Sequence, residues 1–454
     1  MTTYAPPEYT RDVHSASTST LDGAVPSEPP SYSIQPNADE ETVAITPRAG
    51  SSTNSTGHFV RQWPQATLIL QDQDPSARLP TYGRGGRIIG ELGLTNPDKI
   101  DRVTVKLSGQ MSLSVADSGS NCTTLCSITH VLWNQNTASG EQHLQQQEKC
   151  PSILPIHFQL PQSYPCDGKT WRLPPSFEAT FLGVPALFVR CLYTLSITIT
   201  RTRSYHLASW TTNKTYVTMV NFRPRTRPNR PIVMLDSVYA SLKPVPEEWS
   251  QIVATMNVRP KATPGGPETR PIECHLFVPS IQTFALTDTI PFHLQLCSSL
   301  RSLRELLPSD CPLVQTDACR KKMSKAEEYR VLVSDMPIRI SIARQVTVDV
   351  NGRRRVRTFP CGVGRMWPVP PLASSEGAYT ASAYLDWQGE IKCWADVTCG
   401  GFSVNGLHVK DFLVLSLAPP NLRTSSLVPL QLSHPIRLVT DSWIDADALH
   451  PGDR

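Results

Sequence analysis

The sequence contains no apolar run long enough to cross a bilayer. Its most apolar stretch, FLGVPALFVRCLYTL, is interrupted by Pro185 and Arg190. No basic patch followed by an apolar segment stands near the start. These absences predict a chain that is neither secreted nor membrane-spanning. Its twelve cysteines then read as reduced cytosolic thiols, and the sequons at Asn54, Asn121 and Asn213 as unmodified. There is no Cys-x-x-Cys pair, no Gly-x-Ser-x-Gly elbow, no phosphate-binding loop ending in Lys-Ser/Thr and no His-Glu-x-x-His helix, so no motif specifically supports an enzyme. The expectation is no catalytic residue, no metal, no cofactor and no nucleic-acid partner. No internal repeat of fixed period is present, and helical periodicity is scarce.

What is present begins with proline. Pro6-Pro7-Glu8-Tyr9 and Pro29-Pro30-Ser31-Tyr32 repeat one Pro-Pro-x-Tyr pattern within the first 58 residues, a segment with two basic and seven acidic residues. Proline removes backbone donors, and the surrounding Ser, Thr, Asp and Glu bury little, so residues 1–58 are expected to be a disordered tail. Each motif presents a preformed polyproline ridge with one aromatic ring, the shape accepted by aromatic-lined grooves of WW-type domains. A chance product of a proline-rich tail is the competing reading, and it weakens with the second copy. The rest of the chain holds 41 basic and 32 acidic residues, a balance suited to anionic lipid, phosphate or acidic partner segments and also to plain solubility.

Beyond the tail, short β-rich runs alternate apolar and polar side chains and are separated by Pro, Gly and Asn. Thr67–Leu70, Arg102–Leu107, Leu192–Ile199 and Tyr216–Val220 read as half-buried strands of an antiparallel sandwich. After the connector NFRPRTRPNRP the pattern resumes in IECHLFVPS, TIPFHLQL, MPIRISIA, QVTVDV, YTASAYLDW and DFLVLSLAP. Two short helical segments, SSLRSLRELL and CRKKMSKAEEYRVL, read as insertions. Asn351-Gly352, between alternating runs, predicts a tight primed hairpin turn that places Arg353, Arg355 and Arg357 on one face and Arg354 and Val356 on the other.

Cys122, Cys126 and His130 have the spacing of metal ligands on a helix, but their neighbours favour a strand, where four residues span roughly 13 Å. Small thiols buried in a sheet are therefore the reading preferred. The glycines of YGRGGRIIGE lack the bracketing strand and helix of a dinucleotide loop. The arginines of the connector (Arg223, Arg225, Arg227, Arg230) and of the hairpin (Arg353, Arg355, Arg357) are candidate contacts for phosphate or lipid headgroups; the plainer reading is solvated charge on a connector and an edge strand. Lys321, Lys322 and Lys325, in a polar insertion, are candidate ubiquitin acceptors.

Several landmarks, in order, resemble the arrestin family, and within it the arrestin-related trafficking adaptors. They are TYGRGGRIIGELGLTNPDKIDRVTVKLSGQ, LPIHFQLP, LPPSF at Leu173–Phe177, RCLYTLSITITR, and Tyr216–Phe222 followed by RPRTRP. The resemblance is carried mainly by residues 60 to 235. It implies an all-β chain of two immunoglobulin-like sandwiches in tandem: tail 1–58, first sandwich 59–228, second sandwich 229–445, and a short C-terminal tail 446–454. It also implies a cytoplasmic adaptor, recruited to plasma membrane or endosomes, that links cytosolic tails of membrane proteins to a WW-domain ubiquitin ligase of the HECT type through Pro6, Pro7, Tyr9, Pro29, Pro30 and Tyr32. The alternative is a scaffold of the same fold in vesicle sorting or signalling, with incidental motifs. Such adaptors often carry these motifs behind the second sandwich, whereas here both precede the first.

Overall fold

The computed structural model describes residues 57–75, 77–135, 149–205, 208–232, 244–260, 269–308, 336–369 and 383–443, the side chains of 203–209 excepted. Of the described residues 65% are strand and 5% helix, so the architecture is all-β. Both Pro-Pro-x-Tyr motifs, Lys321, Lys322, Lys325 and the expected second helix lie outside the described residues.

The first half contains β1 (Gly57–Trp63), β2 (Ala66–Gln73), β3 (Thr81–Tyr82), β4 (Arg87–Leu94), β5 (Arg102–Val115), β6 (Gly119–Asn134), β7 (Ile153–Gln159), β8 (Ser163–Cys166), β9 (Lys169–Arg172), β10 (Phe177–Phe181), β11 (Leu187–Tyr205) and β12 (Ala208–Phe222). A four-stranded sheet runs β1-β2-β4-β7. A six-stranded sheet runs β3-β12-β11-β5-β6, with β10 extending the edge of β11 where β12 ends. β5 shows why these segments are strands: Val103, Val105, Leu107, Met111, Leu113 and Val115 face inward while Arg102, Lys106 and Gln110 face water. Leu68, Leu70, Ile88 and Leu92 of the smaller sheet share one core with Val105, Leu107, Leu195 and Ile197 of the larger. That packing is close enough to need Gly109, where a Cβ would stand 2.7 Å from the Tyr193 ring and 2.9 Å from Cys126 Sγ. Tyr193 donates its buried hydroxyl to Pro174 O at 2.7 Å, within the LPPSF landmark.

The second half contains β13 (Trp249–Met256), β14 (Ile272–Pro279), β15 (Thr283–Ala285), β16 (Thr289–Ser298), a helix α1 (Leu300–Leu306), β17 (Ile338–Val350), β18 (Arg353–Val369), β19 (Ala383–Cys393), β20 (Phe402–Val404), β21 (Leu407–Leu417) and β22 (Leu430–Val439). They form one sheet in the order β13-β14-β16-β19-β18-β17-β21-β22-β15, with β20 on β21. Leu276, Phe292 and Leu294 from one end of that order share a core with Ile340, Ile342, Leu413 and Leu415 from the other, so the sheet curls around its own interior. Helix α1 is the expected SSLRSLRELL segment. Ser299 caps it, accepting from Ser302 N at 3.3 Å, and Leu303 and Leu306 anchor it in the core.

This all-β, curled-sheet arrangement is compatible with the arrestin-like β-sandwich that the landmarks resemble. Two details differ from the pattern read in the sequence. Strand β1 begins at Gly57 and was not anticipated, because GHFVRQW sits at a sheet edge with a mostly exposed, irregular burial pattern. The pairing is also not wholly antiparallel: the short β3 and β15 lie parallel to β12 and β22. Cys122, Cys126 and His130 do lie on a strand, β6, but the expected burial of the thiols holds for Cys126 alone: Cys122 is exposed, because the outward positions of this strand face water.

Candidate functional site

Three of the residues singled out for chemistry, Arg353, Arg355 and Arg357, lie at the seam where the β17–β18 hairpin meets the first half. Asn351 and Gly352 both have positive φ, 54° and 74°, and Val350 pairs with Arg353, giving the two-residue turn that Asn-Gly specifies. Behind the turn, Val346, Val348 and Val350 of β17 and Leu407 and Val409 of β21 belong to the core of the first half, so the hairpin is packed there by apolar burial before any polar contact is counted.

Along β18 the period of two turns Arg353, Arg355 and Arg357 toward one side, and each finds a partner in the chain. Arg353 Nη1 donates to Asp117 O at 3.0 Å, Arg355 Nη2 to Asp117 Oδ2 at 2.6 Å, and Arg357 Nη2 to Pro185 O at 2.7 Å. Asn351 adds a bond to Ser118 O at 2.8 Å. The hydrogen bond from Arg355 holds the exposed Asp117 carboxyl below its ordinary pKa. Arg354 is exposed on the opposite side.

The connector arginines are engaged as well. Arg225 grips Asp441 through Nε and Nη2 at 3.0–3.2 Å, while Thr226 and Thr440 exchange bonds beside them. Burial pushes the Asp441 carboxyl up, but the bonds from Arg225 and Thr440 outweigh it and the net shift is downward. Arg230 binds Glu248 at 3.0 Å and Ser280 at 2.7 Å. Arg223 donates its backbone N–H to Tyr82 O at 2.8 Å, and the charge of Arg227 bears on Asp441. The seven candidate arginines thus fall into two separate groups, one at each of two joints in the chain.

Below the hairpin the seam opens into a cavity of about 400 Å³ lined by Phe177, Glu178, Cys191, Arg344, Cys361 and Cys399. Arg344 and Asp411, 3% and 0% exposed, form a buried ion pair there, with Nε to Oδ1 at 2.7 Å and Nη2 to Oδ2 at 3.2 Å; Nη2 also donates to Cys399 O at 2.9 Å. Burial opposes the charge on Arg344, and Asp411 more than offsets it, so the guanidinium is held protonated. Burial pushes the Cys191 thiol up to about 12 and raises that of Cys399, which keeps both as unreactive thiols. Neither Arg344 nor Asp411 was legible as a pair in the sequence, since 67 residues separate them.

A second cavity of about 400 Å³ lies on the outer face of β17, β18 and β21, where Arg339, Ser341, Val363, Phe412, Val414 and Ser416 form an open trough. Among the described residues Ser403 Oγ stands against His408 Nδ1, outside both cavities. Burial, with Arg354 and Lys410, holds His408 below its ordinary pKa. Among the described residues no cluster of three or more His, Cys, Asp or Glu is arranged to hold a metal ion, and no helix is long and apolar enough to cross a membrane.

The apolar run FLGVPALFVR divides in the structure. Leu187, Val189 and Cys191 are buried in β11, whereas residues 182–186 form the loop between β10 and β11, with Leu182 91% and Val184 99% exposed. The turn-forming Gly-x-Pro within the run was the available signal for this loop.

Compared with known protein families and curated proteins, the chain matches no family model and no individual protein.

Proposed function

We propose that this chain is a non-enzymatic adaptor that joins membrane-protein cargo to a WW-domain ubiquitin ligase of the HECT type, promoting ubiquitination and endocytosis of the cargo. The observation that carries the reading is the pair of Pro-Pro-x-Tyr motifs, Pro6-Pro7-Glu8-Tyr9 and Pro29-Pro30-Ser31-Tyr32, joined to an all-β body of curled sheets with ordered arrestin-like landmarks. In this reading the body is two immunoglobulin-like sandwiches, bounded near 59–228 and 229–445, and it presents cargo while the tail recruits the ligase. Two copies of the motif make the second engagement intramolecular, which raises apparent affinity by about 10² or more. A tethered motif needs only reach, so motifs ahead of the body serve as well as motifs behind it, and Lys321, Lys322 and Lys325 are candidate ubiquitin acceptors in this reading. Recruitment to plasma membrane or endosomes follows from the cargo.

The test is a pull-down of the full chain on immobilised WW domains. Retention of the wild type and its loss in the Tyr9→Ala/Tyr32→Ala double variant support the reading. Equal retention of both assigns the motifs no role and leaves the scaffold alternative.

A further inference from the structure

The loop at residues 182–186 is the most conspicuous exposed apolar feature among the described residues. β10 and β11 pair through Phe181 and Leu187, so the intervening five residues project as a hairpin tip. Leu182 and Val184 are 91% and 99% exposed, nearly as much as in an extended chain, and so lose the stabilisation that burying two aliphatic side chains ordinarily brings. The tip is nonetheless held firmly at its base. Phe181 packs on Phe359 of β18 with ring centroids 5.6 Å apart, and Arg357 donates to Pro185 O. Its shape is convex, so a protein partner would have to supply a matching pocket, whereas the acyl region of a bilayer accepts aliphatic side chains anywhere.

The charge beside the tip narrows the occupant further. β18 brings Arg353, Arg355 and Arg357 to the side of the hairpin that faces the tip, and Arg357 Nη2 lies 4.0 Å from where a Cβ on Gly183 would stand. Arg355 is the member of this group paired with a carboxylate, that of Asp117. Arg353 and Arg357 bond to backbone carbonyls, which leave their positive charge uncancelled. An aliphatic crown with guanidinium shoulders matches the boundary between acyl chains and anionic headgroups.

We propose that the β10–β11 tip is a membrane-contact site, inserting Leu182 and Val184 into the surface of an anionic bilayer while the β18 arginines lie at headgroup level. The site goes beyond the adaptor reading and is independent of the tail motifs: vesicle binding tests the one and WW-domain retention the other.

The experiment is co-sedimentation of the full chain with vesicles of phosphatidylcholine alone and of phosphatidylcholine with phosphatidylserine. Wild type is expected to sediment with the anionic vesicles, less so at raised salt, and only weakly with neutral ones. Leu182→Glu/Val184→Glu should reduce anionic binding at least about tenfold, with an unchanged melting temperature because neither side chain is packed. Arg353→Gln, at an exposed residue bonded only to a backbone carbonyl, should weaken binding more modestly. In a Leu182→Trp variant, emission should shift to the blue on adding anionic vesicles. The proposal is overturned if wild type sediments with neither vesicle, if the double glutamate variant binds like wild type, or if the new tryptophan stays at its aqueous emission. Equal binding to neutral and anionic vesicles overturns the role given to the arginines.

Discussion

Changing Asp411 to Ala removes the carboxylate from a guanidinium that stays 3% exposed. Two of the Arg344 hydrogen bonds to acceptor oxygens disappear, at 2.7 and 3.2 Å, and the bond to Cys399 O at 2.9 Å remains. Hydrogen bonds to charged groups contribute about 1.5–3 kcal/mol each, and breaking a buried pair by deleting one partner costs about 3–5 kcal/mol because the other charge is left without compensation. The expected loss for Asp411→Ala is therefore about 3–5 kcal/mol. In melting temperature that is on the order of 10 °C for a unit of this size. Arg344→Met/Asp411→Leu replaces both charges with apolar groups of similar bulk and should recover most of the loss, since the desolvation cost then disappears with the attraction. Urea unfolding followed by tryptophan fluorescence reads both variants, with the buried Trp387 in the same curled sheet as reporter. An Asp411→Ala protein within about 1 kcal/mol of wild type, or a double variant as damaged as the single, would show that the pair is not isolated from water and refute the reasoning.

The half-exposed Arg355–Asp117 pair should behave oppositely: Arg355→Gln is expected to leave the melting temperature almost unmoved, with any difference vanishing in high salt, and a large salt-resistant loss would contradict that. Glu305 opposes burial with hydrogen bonds from Ser425 and Ser426 and has a lowered pKa, so its stabilisation is fully present above the unfolded carboxyl value of about 4.3 and is lost as pH falls through the folded value. Glu305→Gln should accordingly be less stable than wild type at neutral pH, with the gap closing in acid; a gap constant across an acid titration contradicts the assignment. Tyr193→Phe strands the buried Pro174 carbonyl and should cost about 1–3 kcal/mol by chemical denaturation, and a neutral outcome would mean that water replaces the hydroxyl.

Strand alternation was legible because it is local: the inward series Val103, Val105, Leu107 and the series Leu195, Ile197, Ile199 state their buried face residue by residue. The Asn351-Gly352 turn was legible for the same reason, since positive φ at two consecutive positions is a property of those two residues. Strand β1 was not, because an edge strand with little buried surface has no strong alternation to display. The destination of the arginines was not legible either. Arg353 and Arg355 bond to Asp117 across more than two hundred residues of sequence, and Arg225 reaches Asp441 across a similar span. A run of basic residues looks the same whether it faces phosphate, water or its own chain.

By itself, then, the sequence determined the tail motifs, the all-β character and the handedness of individual turns, all consequences of local sterics and side-chain periodicity. Tertiary structure alone decided that the hairpin arginines clasp a distant loop, that Arg344 and Asp411 meet in the interior, and that one half of the most apolar run is core while the other half, Leu182 and Val184, stands in solvent. Those outcomes depend on which sheets pack against which, and pairing energy between residues far apart in the chain is fixed only once the strands between them have chosen their neighbours.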